Sequence, residues 1–267
     1  MMSPLGLELR DAVVVVTGGG SGIGAALARR YAAEGATVVV NDLDPDAARS
    51  VAVETGGTAF PGDVSQVELV NALVEHAWER HGGLDIFCAN AGIAPRGDAA
   101  APDAVWEQAW QVNVMAHVYA ARALLPRWLA DGQGRFVATV SAAGLLTLLG
   151  KAPYAVTKHA ALSFAEWLRA SYEHRGITVQ ALCPQGVRTP MLAAAAPDSP
   201  SALLNDNALA PEEVAGCVIE AMRDDRFLIL PHPEVAEYYR RRATDPDRWL
   251  TGMNRLQQKV ESGPATL

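Results

Sequence analysis

The run Val13-Val14-Val15-Val16-Thr17-Gly18-Gly19-Gly20-Ser21-Gly22-Ile23-Gly24, continued by Ala25-Ala26-Leu27-Ala28-Arg29-Arg30-Tyr31-Ala32-Ala33, decides the fold. Four successive β-branched residues predict a short strand, and the Ala- and Leu-rich stretch has helical composition. The glycines between them make a turn. Continuous apolar runs recur at 38–40, 84–89, 135–140, 178–183 and 227–230, with helical patterns between them. Strands that lack polar alternation are covered on both faces, so the expectation is a parallel, doubly wound α/β sheet in a three-layer α/β/α sandwich.

Half of the 267 residues are hydrophobic and 19% are charged, which excludes a disordered chain. The formal charge of −8 opposes binding to a polyanion, and the one basic run, Arg240-Arg241-Arg242, is too short to reverse that. No apolar stretch approaches the roughly 18 residues that span a bilayer, and no secretory leader is evident, so a cytoplasmic protein without membrane or nucleic-acid partners is expected. Cys88, Cys183 and Cys217 lie far apart and outside metal-ligand spacing, which predicts buried free thiols and no metal site. Residues 1–267 read as one domain, with an Ala/Pro/Ser-rich flap at about 192–209 and a C-terminal extension at about 231–267.

A Gly-rich turn entering a helix offers free backbone N–H groups and a partial positive charge to a pyrophosphate. Gly18, Ser21, Gly22, Ile23 and Gly24 are the candidates. Eighteen residues beyond Gly24 stands Asp42, followed by Leu43. A carboxylate there accepts both adenine-ribose hydroxyls and repels a 2′-phosphate, so NAD is favoured over NADP. Asp44 is the better helix cap before Pro45.

Tyr154 and Lys158 stand four residues apart in a predicted helix over 152–169 and share one face. A nearby cation stabilises a phenolate and makes tyrosine usable as a base. With the Thr-Gly-x-x-x-Gly-x-Gly turn, this Tyr-x-x-x-Lys pair makes the chain resemble the short-chain dehydrogenase/reductase family over about residues 7–230. Further landmarks carry the resemblance: Asp63-Val64 after a third strand, Asn90-Ala91-Gly92 after the fourth, Asn113, Ser141 after the fifth, and Pro184-Gln185-Gly186-Val187-Arg188-Thr189 after the sixth. Two positions depart from the family's pattern, Ala89 standing for its first Asn and Gln185 for a Gly.

The resemblance implies a Rossmann-fold oxidoreductase that moves a hydride between NAD and a secondary alcohol or ketone. Tyr154 would be the acid/base, Ser141 the donor that orients the reacting oxygen, and Lys158 the group that lowers the tyrosine pKa and holds nicotinamide ribose. Asn113 would hold a water beside Lys158. Asp63, Val64, Asn90, Ala91, Gly92, Pro184, Val187 and Thr189 would complete the cofactor site, and Ser141, Tyr154 and Gln185 would touch substrate. The substrate wall is expected from Ala94, Arg96, Ala143, Leu145, Gln185 and the segment from Met191 onward, mostly apolar, with Arg96 available to a carboxylate. His159 faces away from Tyr154. A homo-oligomer, tetramer or dimer, is implied, with Ala155, Ala161, Leu162, Phe164 and Trp167 free either to face a second copy or to pack on the sheet.

Overall fold

The computed structural model describes residues 9–194 and 207–262, and most of the expected flap at 192–209 lies outside these. Seven strands form one sheet: β1 (Val13–Thr17), β2 (Thr37–Asn41), β3 (Thr58–Ala59), β4 (Ile86–Ala89), β5 (Gly134–Thr139), β6 (Ile177–Leu182) and β7 (Leu228–Ile229). Their order is β3-β2-β1-β4-β5-β6-β7, and every neighbouring pair is parallel. The chain runs outward from β1 in one direction and returns to β4 on its other side. The crevice above β1 and β4, at their carboxyl ends, is where open α/β sheets bind ligands.

Burial explains why the strands are apolar throughout. Val13 and Val15 of β1 belong to one core cluster and Val14 and Val16 to the other, as period-two side chains must. On one face lie α1 (Gly22–Ala33), α2 (Pro45–Thr55) and α8 (Pro211–Ala221), which bury Leu27, Tyr31, Val51 and Val218. The other face carries α3 (Val67–His81), α5 (Ala116–Asp131) and α6 (Ala152–Tyr172), with Leu73, Leu124, Trp128 and Leu168. Each fully buried leucine contributes about 2 kcal/mol of apolar transfer energy. A helix α4 (Asp103–Trp110) runs through a π turn, Gln111–Met115, into α5.

Local chemistry sets several boundaries. Asp44 caps α2, its Oδ1 accepting from the N–H groups of Asp46 and Ala47 at 2.9 and 3.2 Å, and Gly56 ends that helix at φ +66°. The run at 84–89 forms a strand only from Ile86, because the Leu84 carbonyl accepts the Trp128 indole N–H and the Asp85 carboxylate accepts the Val13 N–H. β3 is two half-buried residues with no apolar run. The C-terminal extension folds as α9 (Glu234–Thr244) and α10 (Pro246–Glu261), and a short α7 (Pro190–Ala193) follows β6.

Candidate active site

One cavity of about 900 Å³ opens at the carboxyl ends of the strands. Every expected catalytic and cofactor-binding residue lines it except Asn113. The glycine turn is built by contacts that no side chain could share. At Gly24 a Cβ would lie 2.0 Å from the Gly18 carbonyl oxygen, and at Gly18, φ +60°, one would lie 2.9 Å from Ala91 Cα. Ser21 is the N-cap of α1 and makes no side-chain cap bond, so the helix N-terminus faces the cavity without a capping side chain. Asp42 fixes this turn, its Oδ2 accepting the Gly20 N–H at 2.9 Å and its Oδ1 the Asp44 N–H at 3.0 Å. Leu43 beside it is 73% exposed at the cavity rim. Asp63 turns the chain through a bond from Ser65 N–H.

Asn90 acts as a strut. Its Nδ2 donates to the carbonyls of Thr17 and Gly18 at 2.9 and 3.3 Å, and its Oδ1 accepts from the Thr139 hydroxyl at 3.0 Å. The side chain therefore joins the ends of β1 and β5, and the backbone through Ala91 and Gly92 lines the cavity.

Ser141, Tyr154 and Lys158 meet at one wall. Ser141 follows β5 with φ 150° and ψ 157°, a region essentially reserved for glycine, and its Oγ accepts the Ala143 N–H at 3.1 Å. Such strain persists only where the surroundings enforce it. Lys158 is 3% exposed, donates to the Thr139 carbonyl at 2.8 Å, and has its Nζ 5.7 Å from the Tyr154 ring centroid. Burial pulls the ammonium down to about 8, against the opposing influence of Cys183. Burial holds the Tyr154 hydroxyl above its ordinary value, while its hydrogen bond with Ser141 acts in the opposite sense. The sequence reading looks to Lys158 for that lowering influence; in this structure it comes from Ser141. Gly92 leaves room here, since a Cβ would lie 3.2 Å from Asn113 Oδ1 and 3.4 Å from Lys158 Nζ.

Asn113 sits in the π turn, fully buried and off the cavity wall. Its amide exchanges two bonds with Ile93, both 2.9 Å, and donates to Thr157 at 3.0 Å. It locks the loop after β4 against the helix that carries Tyr154.

Gln185 keeps an ordinary negative-φ backbone, so its replacement of the family glycine introduces no strain. Its N–H donates to His232 Nδ1 at 3.1 Å, and His232 Nε2 lies 3.3 Å from the Asn207 carbonyl. This buried histidine, absent from the sequence reading, ties the loop after β6 to the chain before α9. Pro184, Val187 and Thr189 line the same stretch, and Thr189 caps α7. A Cβ on Gly22 would lie 2.9 Å from Thr189 Cγ2, which brings the two loops together.

The substrate wall differs from expectation. Ala94, Ala143, Gln185 and Met191 line the cavity, whereas Leu145 is fully buried in the core and Arg96 is exposed off the wall. In their place stand Leu146, Leu148 and Leu149, with Tyr238, Trp249, Met253 and Leu256 from α9 and α10. Trp249 Nε1 donates to Thr147 Oγ1 at 3.1 Å, and Arg242 bonds the Leu145 carbonyl. The 249/253/256 spacing was the available signal, an apolar stripe of helical period. On α6, Ala161 and Leu162 pack inward, while Trp167 and Val156 are 54% and 49% exposed. His159 turns to the Ala155 carbonyl, and Cys217 is half-buried where Cys88 and Cys183 are buried. Among the described residues no His/Cys/Asp/Glu cluster could hold a metal, and no helix is long and apolar enough to cross a membrane.

A glycine turn entering a helix at the switch point of a parallel sheet, next to a Ser/Tyr/Lys wall, is an arrangement suited to a nucleotide-dependent oxidoreductase. Comparison with known proteins agrees. The profile of the short chain dehydrogenases matches residues 12–200. The chain is 36% identical over 241 residues to 1-deoxy-11-beta-hydroxypentalenate dehydrogenase of Streptomyces exfoliatus, covering 85% of this chain and 86% of the relative. It is 36% identical over 190 residues to 2,5-dichloro-2,5-cyclohexadiene-1,4-diol dehydrogenase of Sphingobium indicum, covering 69% and 76%. The crystal structure of a short chain dehydrogenase/reductase from Burkholderia phymatum in complex with NAD is similar at a TM-score of 0.81 and 29% identity, covering 90% of this chain and 96% of the other. The chain belongs to the short-chain dehydrogenase/reductase family and is an oxidoreductase of CH–OH groups.

Proposed function

We propose that this chain interconverts a bulky, apolar secondary alcohol and its ketone with NAD, using Tyr154 as acid/base. The observation that carries the reading is the meeting of Ser141, Tyr154 and Lys158 at one wall of a cavity whose other end holds the glycine turn and Asp42. The turn fits a dinucleotide, because Gly18, Ser21, Gly22, Ile23 and Gly24 line the cavity where α1 begins, and no capping side chain stands between its backbone N–H groups and a pyrophosphate. Asp42 forms no ion pair among the described residues, so its charge favours ribose hydroxyls and disfavours an added phosphate. The NAD in the Burkholderia phymatum relative supports the same choice.

Leu43, Asp63 and Val64 flank the adenosine end, Ala91, Gly92 and the Asn90 backbone line the middle, and Pro184, Val187 and Thr189 hold the nicotinamide end. When bound, NAD accepts or returns the hydride, chemistry that belongs to the cofactor. In the oxidising direction Tyr154 takes the hydroxyl proton while Ser141 orients the oxygen. The Lys158 ammonium, held on the Thr139 carbonyl, stabilises the phenolate. Asn113 is a positioning residue behind both. The apolar wall supports a carbon-rich substrate, as do relatives named for hydroxypentalenate, a chlorinated cyclohexadiene diol and retinol. The reading includes one domain, a cytoplasmic location and a homo-oligomer, dimer or tetramer; the exposed apolar Val156 and Trp167 support the last.

Thermal stabilisation by NAD and NADP at matched concentration tests the cofactor, since a ligand of the native state raises its apparent stability. NAD is expected to give the larger shift; a larger one with NADP overturns the choice. Tyr154→Phe is expected to retain the NAD shift and lose oxidation of a decalinol by about a hundred- to ten-thousand-fold, read by reduced-nicotinamide absorbance. An active Tyr154→Phe enzyme refutes the role.

A further inference from the structure

The cavity carries one cation that the proposed hydride transfer does not use. Lys151 lines the wall at only 9% exposure, and among the described residues its ammonium has no hydrogen bond and no ion pair. Its backbone alone sets its place: Lys151 bridges Gly97, the Ala152 N–H donates to the Gly97 carbonyl at 2.8 Å, and the Lys151 carbonyl accepts the Ala155 N–H at 2.9 Å. The side chain is therefore not needed for local folding. Burial and the charge of Arg96 both press the ammonium below its ordinary value, so the site is electropositive and short of a counter-charge.

The Lys151 stem is covered while its ammonium keeps contact with solvent, so a carboxylate in the cavity would supply the counter-charge that the described residues do not. Among the described residues, Asp42 and Asp63 are the only acidic side chains that line the cavity. Among its charged lining residues, Asp42 and Asp63 lie beyond β2 and β3, and Lys158 is held on Thr139. The cavity that Lys151 lines has an apolar wall that includes Leu148, Leu149, Trp249 and Met253. Lys151 is also the N-cap of the long helix α6, whose N-terminal partial charge adds to its own.

We infer that Lys151 is a carboxylate-binding residue, and that the alcohol this chain accepts carries a carboxylate on an apolar, ring-sized skeleton. The inference rests on the substrate reading above and adds the group that fixes orientation: the carboxylate on Lys151 turns the carbinol toward Tyr154. Arg96, the sequence candidate for that contact, is exposed and reinforces the field from outside.

The test uses a hydroxydecalin carboxylate and its methyl ester, with binding to the NAD-loaded enzyme measured by calorimetry. The wild type is expected to bind the carboxylate about ten- to a hundred-fold tighter than the ester, the range of a charge-assisted hydrogen bond. Lys151→Met should bring the two to parity with the ester unchanged, and Lys151→Arg should keep the preference. Unaltered stabilisation by NAD verifies that each variant is folded. Parity in the wild type, a preference surviving Lys151→Met, or binding of neither compound overturns the assignment. Turnover is followed in parallel: the preference without hydride transfer supports Lys151 as the carboxylate site and counts against the alcohol reading instead.

Discussion

His117 is a buried side chain that the fold holds at a cost. It is 1% exposed on α5, neither ring nitrogen has a protein partner, and its ring meets Phe136 edge-on at 6.1 Å. Burial, helped by the Lys158 charge, pulls its pKa down to about 3. The folded value lies below the ordinary 6.5, so between the two the unfolded chain takes a proton that the native state refuses. Stability is thus complete above about pH 6.5 and falls on acidification by about 1.4 kcal/mol per pH unit. Urea midpoints at pH 7 and pH 5 should separate in the wild type and lie closer together in His117→Leu; equal separations would mean that other groups set the acid response. His232 shows the opposite solution, with both nitrogens engaged and a tautomer fixed by Gln185.

At the scale of elements, α10 tests whether the C-terminal helices shape the site. Trp249→Ala removes both an apolar wall and the bond to Thr147, and is expected to raise KM for decalinol about ten-fold or more while leaving that for propan-2-ol near its original value. Steady-state kinetics on the two alcohols decides it. These helices also mark where sequence reading stops. β1, its glycine turn and α1 were legible because four β-branched residues, a cluster of glycines and a helical stretch each speak locally. β3 was not, since its two half-buried residues owe their place to β2 and to Asn41, whose amide holds the Phe60 and Gly62 carbonyls. The π turn at Asn113 uses the same residue types as the helices around it. Trp249 announced a helical stripe, but its partner Thr147 is 102 positions away, a pairing that no local pattern contains. Lys151 was invisible for the same reason: its lack of a partner is a property of the folded cavity.

Across the whole molecule, two core clusters lie on opposite faces of the same strands, so neither can persist once the sheet has opened. Trp78 and Trp128 pack with one cluster, whereas the other is built on α1, α2 and α8. Tryptophan fluorescence and far-ultraviolet circular dichroism should therefore trace one coincident urea transition; separate midpoints would show that the faces unfold independently. The buried ion pair of Arg135 with Asp225, at 2.7 Å, joins β5 to the turn before β7 and extends this linkage to the sheet edge. The division of labour around the cavity has a further outcome. The proposed proton-handling residues stand just after β5 and on α6, while much of the apolar wall comes from α9 and α10, outside the sheet. Mutations drifting through the tail can change which alcohols are admitted without touching the reactive centre, so a lineage built on this plan inherits selectivity and reactivity as separable traits.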